Sequence, residues 1–179
     1  MSADSMGTTG SPVQTIEALL AHALAMETEA TDRYGELADQ METHRKQAVA
    51  DIFRRLERAE RAHLEELTQR CSGLTLPHYA PWEFQWSASE APETIAVDRV
   101  HYQLSVREAL QLALDHERRA VAFFDSVAAS GAPAEVVSMA TEFAQEEREH
   151  IVWLQECLDQ ADAAPDASAD DPDPPLCQE

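Results

Sequence analysis

A chain of 179 residues, 44% apolar with only five glycines, is long enough for one domain with its own core and suits helices better than turn-rich sheets. Its net charge of −21 repels nucleic-acid phosphates and anionic lipid surfaces, so neither is an expected partner, and it draws cations to the surface. Cys71, Cys157 and Cys177 are odd in number, far apart and without a C-x-x-C pair; the expectation is no disulfide framework, no thiolate metal site, and a cytoplasmic protein.

Residues 1–10 are small and polar and are expected to be disordered. Ser11, Pro12 and Gln14 read as a helix start, and a first helix is predicted from about Pro12 to Glu42. Thr43 is placed as the N-cap of a second helix that reaches about Cys71 and stops at Gly73. From Leu74 to Gln103 the periodicity fails, and Pro77, Pro81 and Pro92 stand among Trp82, Phe84 and Trp86. That pattern predicts an ordered crossover pinned by aromatic rings, which would bring a third helix back parallel to the second. Ser105 and Glu108 form a capping box that opens the third helix, predicted to run to about Ala129 and end at Gly131. Pro133 opens a fourth helix lasting to about Gln160. The bundle is thus expected over residues 11–160, followed at 161–179 by a solvated tail rich in proline and aspartate. No basic stretch precedes an apolar run near the N-terminus and no segment approaches a membrane-spanning length, so neither a signal peptide nor an anchor is expected. The predicted fold is all-α, a four-helix bundle with one long crossover between helices two and three.

Steps of three and four residues trace one apolar stripe along each predicted helix. The first carries Ile16, Leu20, Ala23, Ala30, Tyr34, Leu37 and Met41, interrupted at Glu27. The second carries Val49, Phe53, Leu56 and Leu67, interrupted at Glu60 and His63. The third carries Val106, Leu110, Ala113, Ala120, Phe124 and Val127, interrupted at Glu117. The fourth carries Val136, Ala140, Phe143, Leu154 and Cys157, interrupted at Glu147 and His150. Every stripe is broken at mid-helix. Unpartnered buried carboxylates cost several kcal/mol each, so four at one level require compensation. Two divalent ions would cancel the four carboxylate charges and leave the histidines neutral. Glu-x-x-His sets both side chains on one face a turn apart, and two such pairs plus a glutamate from each remaining helix is the ligand set of di-iron and di-manganese bundles. Oxygen and imidazole donors without thiolate favour iron or manganese. The competing reading is an acidic bundle whose seam carboxylates pair with Arg or Lys.

Four stretches carry a resemblance to the ferritin-like superfamily, and within it to the rubrerythrin and bacterioferritin group. ALAMETEATDRY (Ala23–Tyr34) resembles that group's first helix, with glutamate seven residues before tyrosine. HERRAVAFF (His116–Phe124) repeats the arrangement with phenylalanine, and Glu60–His63 and Glu147–His150 match the paired motifs, so the chain reads as two similar halves offset by about 90 residues. The resemblance implies that Glu60 and Glu147 bridge two iron ions (manganese being possible), that Glu27 and Glu117 are terminal ligands, and that His63 and His150 each bind one ion. It also implies that Tyr34 lies close to the site with a catalytic role; a core tyrosine with a satisfied hydroxyl is the other reading. Departures are equally specific. No C-x-x-C rubredoxin-like module is present, Ala120 stands where rubrerythrins carry an extra glutamate, and neither the fifth helix of ferritins nor a haem-binding methionine is found.

The implied activity is a non-haem di-iron oxidoreductase that reduces peroxide or dioxygen with electrons from an external donor, in a homodimer or higher oligomer. Two alternatives stand beside it: a ferroxidase whose substrate is Fe(II), and a metal-stabilised binding or cargo protein using the acidic tail. Glu29, Glu57, Glu146 and Glu149 fall off the seam and are expected to be solvated or to flank the ligands. His116 is expected at the surface, and Trp82 and Trp86 are expected to pin the crossover.

Overall fold

In the computed structural model, residues 13–80, 84 and 104–163 are described. They form four helices, α1 (Ile16–Thr43), α2 (Gln47–Arg70), α3 (Val106–Ala128) and α4 (Ala134–Ala163), with no strand among the described residues. The terminal segments, Trp82, Trp86 and most of the crossover lie outside them, as do Ser11 and Pro12.

Local chemistry sets the helix ends. α1 starts at Thr15, whose hydroxyl accepts the Ala18 N–H at 3.1 Å; this supersedes the start predicted at Pro12. Its end is a left-handed turn at Arg45 (φ 57°), where the Lys46 N–H reaches back to the Met41 carbonyl at 2.8 Å. Thr43 is therefore the last residue of α1 and not the cap of α2: its hydroxyl donates to Asp39 O, and Lys46 takes the N-cap position without a side-chain bond. Gly73 (φ 83°) and Gly131 (φ 75°) supply the positive φ that closes α2 and α3. The capping box is present, with the Glu108 N–H donating to Ser105 Oγ and the Ser105 N–H donating to Glu108 Oε2. Around Pro133 the chain turns into α4, which runs three residues beyond the predicted Gln160, so Ala161 belongs to the bundle and not to the tail.

α1 packs along α2, and α3 along α4, as two antiparallel hairpins that meet face to face. The core consists of two apolar clusters. One joins Tyr34, Leu37 and Met41 of α1, Phe53 and Leu56 of α2, Leu110 and Leu114 of α3, and Leu154 of α4. The other joins Leu19, Leu20 and Met26 of α1, Leu67 of α2, Phe123 and Phe124 of α3, and Phe143 of α4. The N-terminal half of α2 thus shares a cluster with the N-terminal half of α3, so these helices run parallel and the crossover returns the chain along the bundle. This is the ferritin-like arrangement. Where the crossover is described, Tyr79 and Phe84 rest on the buried His22 ring at centroid distances of 4.9 and 5.2 Å. No helix among the described residues is long and apolar enough to cross a membrane.

Candidate metal centre

Between the two clusters lies the ionisable layer. On α1 it falls between Met26 and Ala30, on α2 between Leu56 and Leu67, on α3 between Leu114 and Ala120, and on α4 between Ala144 and Leu154. All six seam residues meet there. Glu60, Glu117, Glu147 and His150 bring ligand atoms within 4.8 Å of one another, as do Glu27, Glu60, His63 and Glu147. Glu60 and Glu147 belong to both groups, so they face two positions, whereas Glu27 with His63 and Glu117 with His150 each mark one end.

The carboxylates are buried: Glu117 is 1% exposed, Glu60 2%, Glu147 4% and Glu27 5%. The imidazoles form the outer wall, with side chains 23% exposed at His63 and 14% at His150. Their rings stack nearly parallel, 5.0 Å apart at 7°. His150 Nδ1 points into the layer, 3.2 Å from Glu60, 3.4 Å from Glu117 and 3.5 Å from Glu147. No arginine or lysine among the described residues pairs with these four glutamates; the arginines go elsewhere. Arg54 binds Asp39, Glu42 and Glu57, Arg70 binds Glu66 and Glu142, and Arg148 binds Asp125. Pairing of the seam carboxylates with Arg or Lys is therefore not what the described residues show.

The layer instead balances itself with protons. Burial pushes the Glu27 carboxyl well above the usual carboxylate range, helped by the charges of Glu147 and Glu60. Burial does the same to Glu147, although His150 opposes it. At Glu117 burial is outweighed by His116 and His150, and at Glu60 burial and the Glu117 charge are outweighed by His150 and His63, so both stay below the usual range. Burial works against the His150 cation, yet Glu117, Glu147 and Glu60 pull its pKa far above the ordinary value.

These residues fit a pair of divalent cations. Glu27 Oε2 and His63 Nδ1 are buried without a hydrogen-bond partner, the latter 3.6 Å from Glu60 and 3.9 Å from Glu27. Lone pairs left this way cost free energy unless a cation takes them up.

Tyr34 is fully buried, and its hydroxyl lies 2.7 Å from Glu117 Oε1 and 2.8 Å from His116 Nδ1. Burial, then the Glu117 charge, holds the phenol well above its usual pKa. His116 is a correction to the sequence expectation: it is 6% exposed and belongs to the interior. Its ring meets Tyr34 edge to face at 5.3 Å. The single-stripe reading missed it because the buried face is wider. Ala109, His116 and Phe123 recur every seven residues as a second stripe, and that spacing was the available signal. Among the off-seam glutamates, Glu29 and Glu149 are exposed, Glu57 is held by Arg54 and Arg61, and Glu146 is part-buried near His63.

No curated protein matches the sequence. Among solved structures, the chain is similar to an uncharacterized conserved protein from Magnetospirillum magnetotacticum MS-1, at 37% identity over 82% of this chain and 95% of that one, with a TM-score of 0.67. The Rubrerythrin family model matches residues 18–158, which covers most or all of each helix and every residue of the ionisable layer, and the chain belongs to the rubrerythrin family.

Proposed function

We propose that the chain is a di-iron oxidoreductase that reduces peroxide or dioxygen, with electrons arriving from an external donor. The observation that carries this reading is the set of donor atoms from Glu27, Glu60, His63, Glu117, Glu147 and His150, buried together and paired with no arginine or lysine among the described residues. Glu60 and Glu147 would be shared by both ions, Glu27 and His63 would hold one, and Glu117 and His150 the other; manganese is the alternative metal. The reduced metals held by these residues would supply the two electrons that reduction of an O–O bond requires. The chain contributes the rest. Its apolar clusters above and below the layer keep water out. The stacked imidazoles form the least buried wall, which makes the His63–His150 side the approach for a small oxidant. Tyr34 keeps the remote oxygen of Glu117 hydrogen-bonded, so that carboxylate can neither rotate freely nor take up a proton on that side.

The test is anaerobic loading with Fe(II), removal of loose iron, a metal count, and then separate mixing with hydrogen peroxide and with dioxygen. Two ions per chain and faster oxidation by peroxide are expected; absence of tightly held iron would overturn the reading. The second reading takes Fe(II) itself as substrate, with the part-buried Glu146 near His63 as a carboxylate beside the same wall. Continued turnover of Fe(II) beyond the resident pair would select that ferroxidase reading.

A further inference from the structure

The two halves of the chain repeat each other, and the places where they differ meet in space. Glu27 is preceded by Met26 and followed seven residues later by Tyr34; Glu117 is preceded by His116 and followed seven residues later by Phe124. Tyr34 and His116, the polar member of each unequal pair, are hydrogen-bonded across the α1–α3 contact at 2.8 Å. Met26 and Phe124, the apolar members, both lie in the other apolar cluster. Phe124 there packs on Phe143 at 5.3 Å. The consequence falls on the two terminal glutamates. Glu117 Oε1 receives a hydrogen bond of 2.7 Å from Tyr34, whereas Glu27 Oε2 is buried with no partner.

The direction of the bonds follows from counting protons. A phenol has one O–H, and a carboxylate can only accept. The Tyr34 hydroxyl therefore donates to Glu117, and its contact with His116 is completed by His116 donating from Nδ1–H. At 3.6 Å, His116 Nδ1 is too far from Glu117 Oε1 to bond it directly, so it acts on the carboxylate through the tyrosine. With His116 fixing the hydroxyl, Glu117 Oε1 is occupied and Oε2 is left facing His150 at 3.4 Å.

We infer that His116 is a positioning residue that, through Tyr34, locks the Glu117 carboxylate and makes the Glu117–His150 end the tighter of two inequivalent metal positions. The Glu27–His63 end, with no such support, is the looser one, and its ion is the first lost. This rests on the metal-binding reading above. Hydrogen bonds to the far oxygen of a ligating carboxylate orient it before the ion arrives, and their removal weakens binding by about 10–100-fold.

The experiment is an anaerobic titration of the full chain with Co(II), followed by calorimetry and by cobalt absorption. Two binding steps are expected, separated by about tenfold or more. Tyr34→Phe and His116→Leu should weaken the tight step by about tenfold or more and leave the loose step unchanged. His116→Gln, whose amide N–H can still donate to the Tyr34 hydroxyl, should restore most of the tight step, which a merely space-filling role would not do. Glu27→Gln should remove the loose step and keep the tight one. Two wild-type steps that Tyr34→Phe leaves unchanged, or weakens equally, would overturn the inference while the metal site stands. No Co(II) bound by the folded wild type would overturn the metal reading and this inference together. Tyr34→Phe deletes one oxygen from a packed ring, and its helical melt reports whether the fold is intact.

Discussion

On the proposed metal reading, protons and metal ions would compete for the same buried oxygens, and the metal-free protein should show an inverted pH dependence of stability. Glu27 and Glu147 keep their protons well above the usual carboxylate range because burial disfavours their charge. In the unfolded chain both ionise near pH 4.5, so above that pH the folded state binds more protons and stability falls as pH rises. Each retained proton costs about 1.4 kcal/mol per pH unit, so the pair sets a ceiling of about 2.7 kcal/mol per unit; if one ionises first the slope halves. For a chain of this size that is about 3–10 °C in melting temperature per pH unit. His150 adds a slope of the same sign above its ordinary value. The assay is thermal unfolding of chelator-treated wild type and of the Glu27→Gln/Glu147→Gln variant between pH 5 and 7. Their difference cancels His22 and the other groups outside the layer, leaving the two carboxyls together with the His150 cation that Glu147 helps to hold. Wild type should lose stability relative to the variant as pH rises, and addition of Mn(II) should reverse the trend in wild type alone. A difference that does not change with pH would refute the protonated-layer account.

Three further outcomes are expected. Glu60→Ala or Glu147→Ala should lose both metals, since each carboxylate faces both positions; full metal content in either, measured by elemental analysis, contradicts the shared-ligand assignment. Phe53→Ala removes a ring that is fully buried and stacked 6.2 Å from Tyr34, and should cost about 3–5 kcal/mol in a denaturant titration. His22 has its pKa lowered by burial, against the pull of the Ala18 carbonyl, so the unfolded chain binds more protons below pH 6.5 and His22 withdraws stability as pH falls. His22→Gln should flatten that acid limb in a melt between pH 5 and 6.5, and an unchanged limb would exclude the assignment.

The fold was legible because burial in a bundle is periodic. Stripes through Leu20, Phe53, Leu110 and Leu154 marked the helices and their facing sides, and the interruptions marked the layer. The capping box at Ser105 was legible because both its bonds are local. Helix ends built on backbone geometry were not. Arg45 adopts a left-handed conformation that nothing in its type announces, and so Thr43 was misassigned. His116 was hidden for a different reason. A single seam describes a two-helix contact, whereas α3 packs on neighbours to either side of its stripe, so residues one position off the seam are buried as well. The Tyr34–His116 pair depends on two residues 82 apart meeting between hairpins, which no single-helix pattern contains.

A core divided into two greasy ends by an ionic waist also has a mechanical consequence. Each end holds its helices by apolar packing and by pairs such as Arg54 with Glu42 and Arg70 with Glu142, whereas the middle is held by whatever balances the carboxylates. On the proposed metal reading, backbone amides near Glu27, Glu60, Glu117 and Glu147 should exchange with solvent more slowly once the site is loaded, with little change at either end of the bundle. A cation bound there would act as a clasp at the midpoint, joining the two hairpins where apolar packing is interrupted.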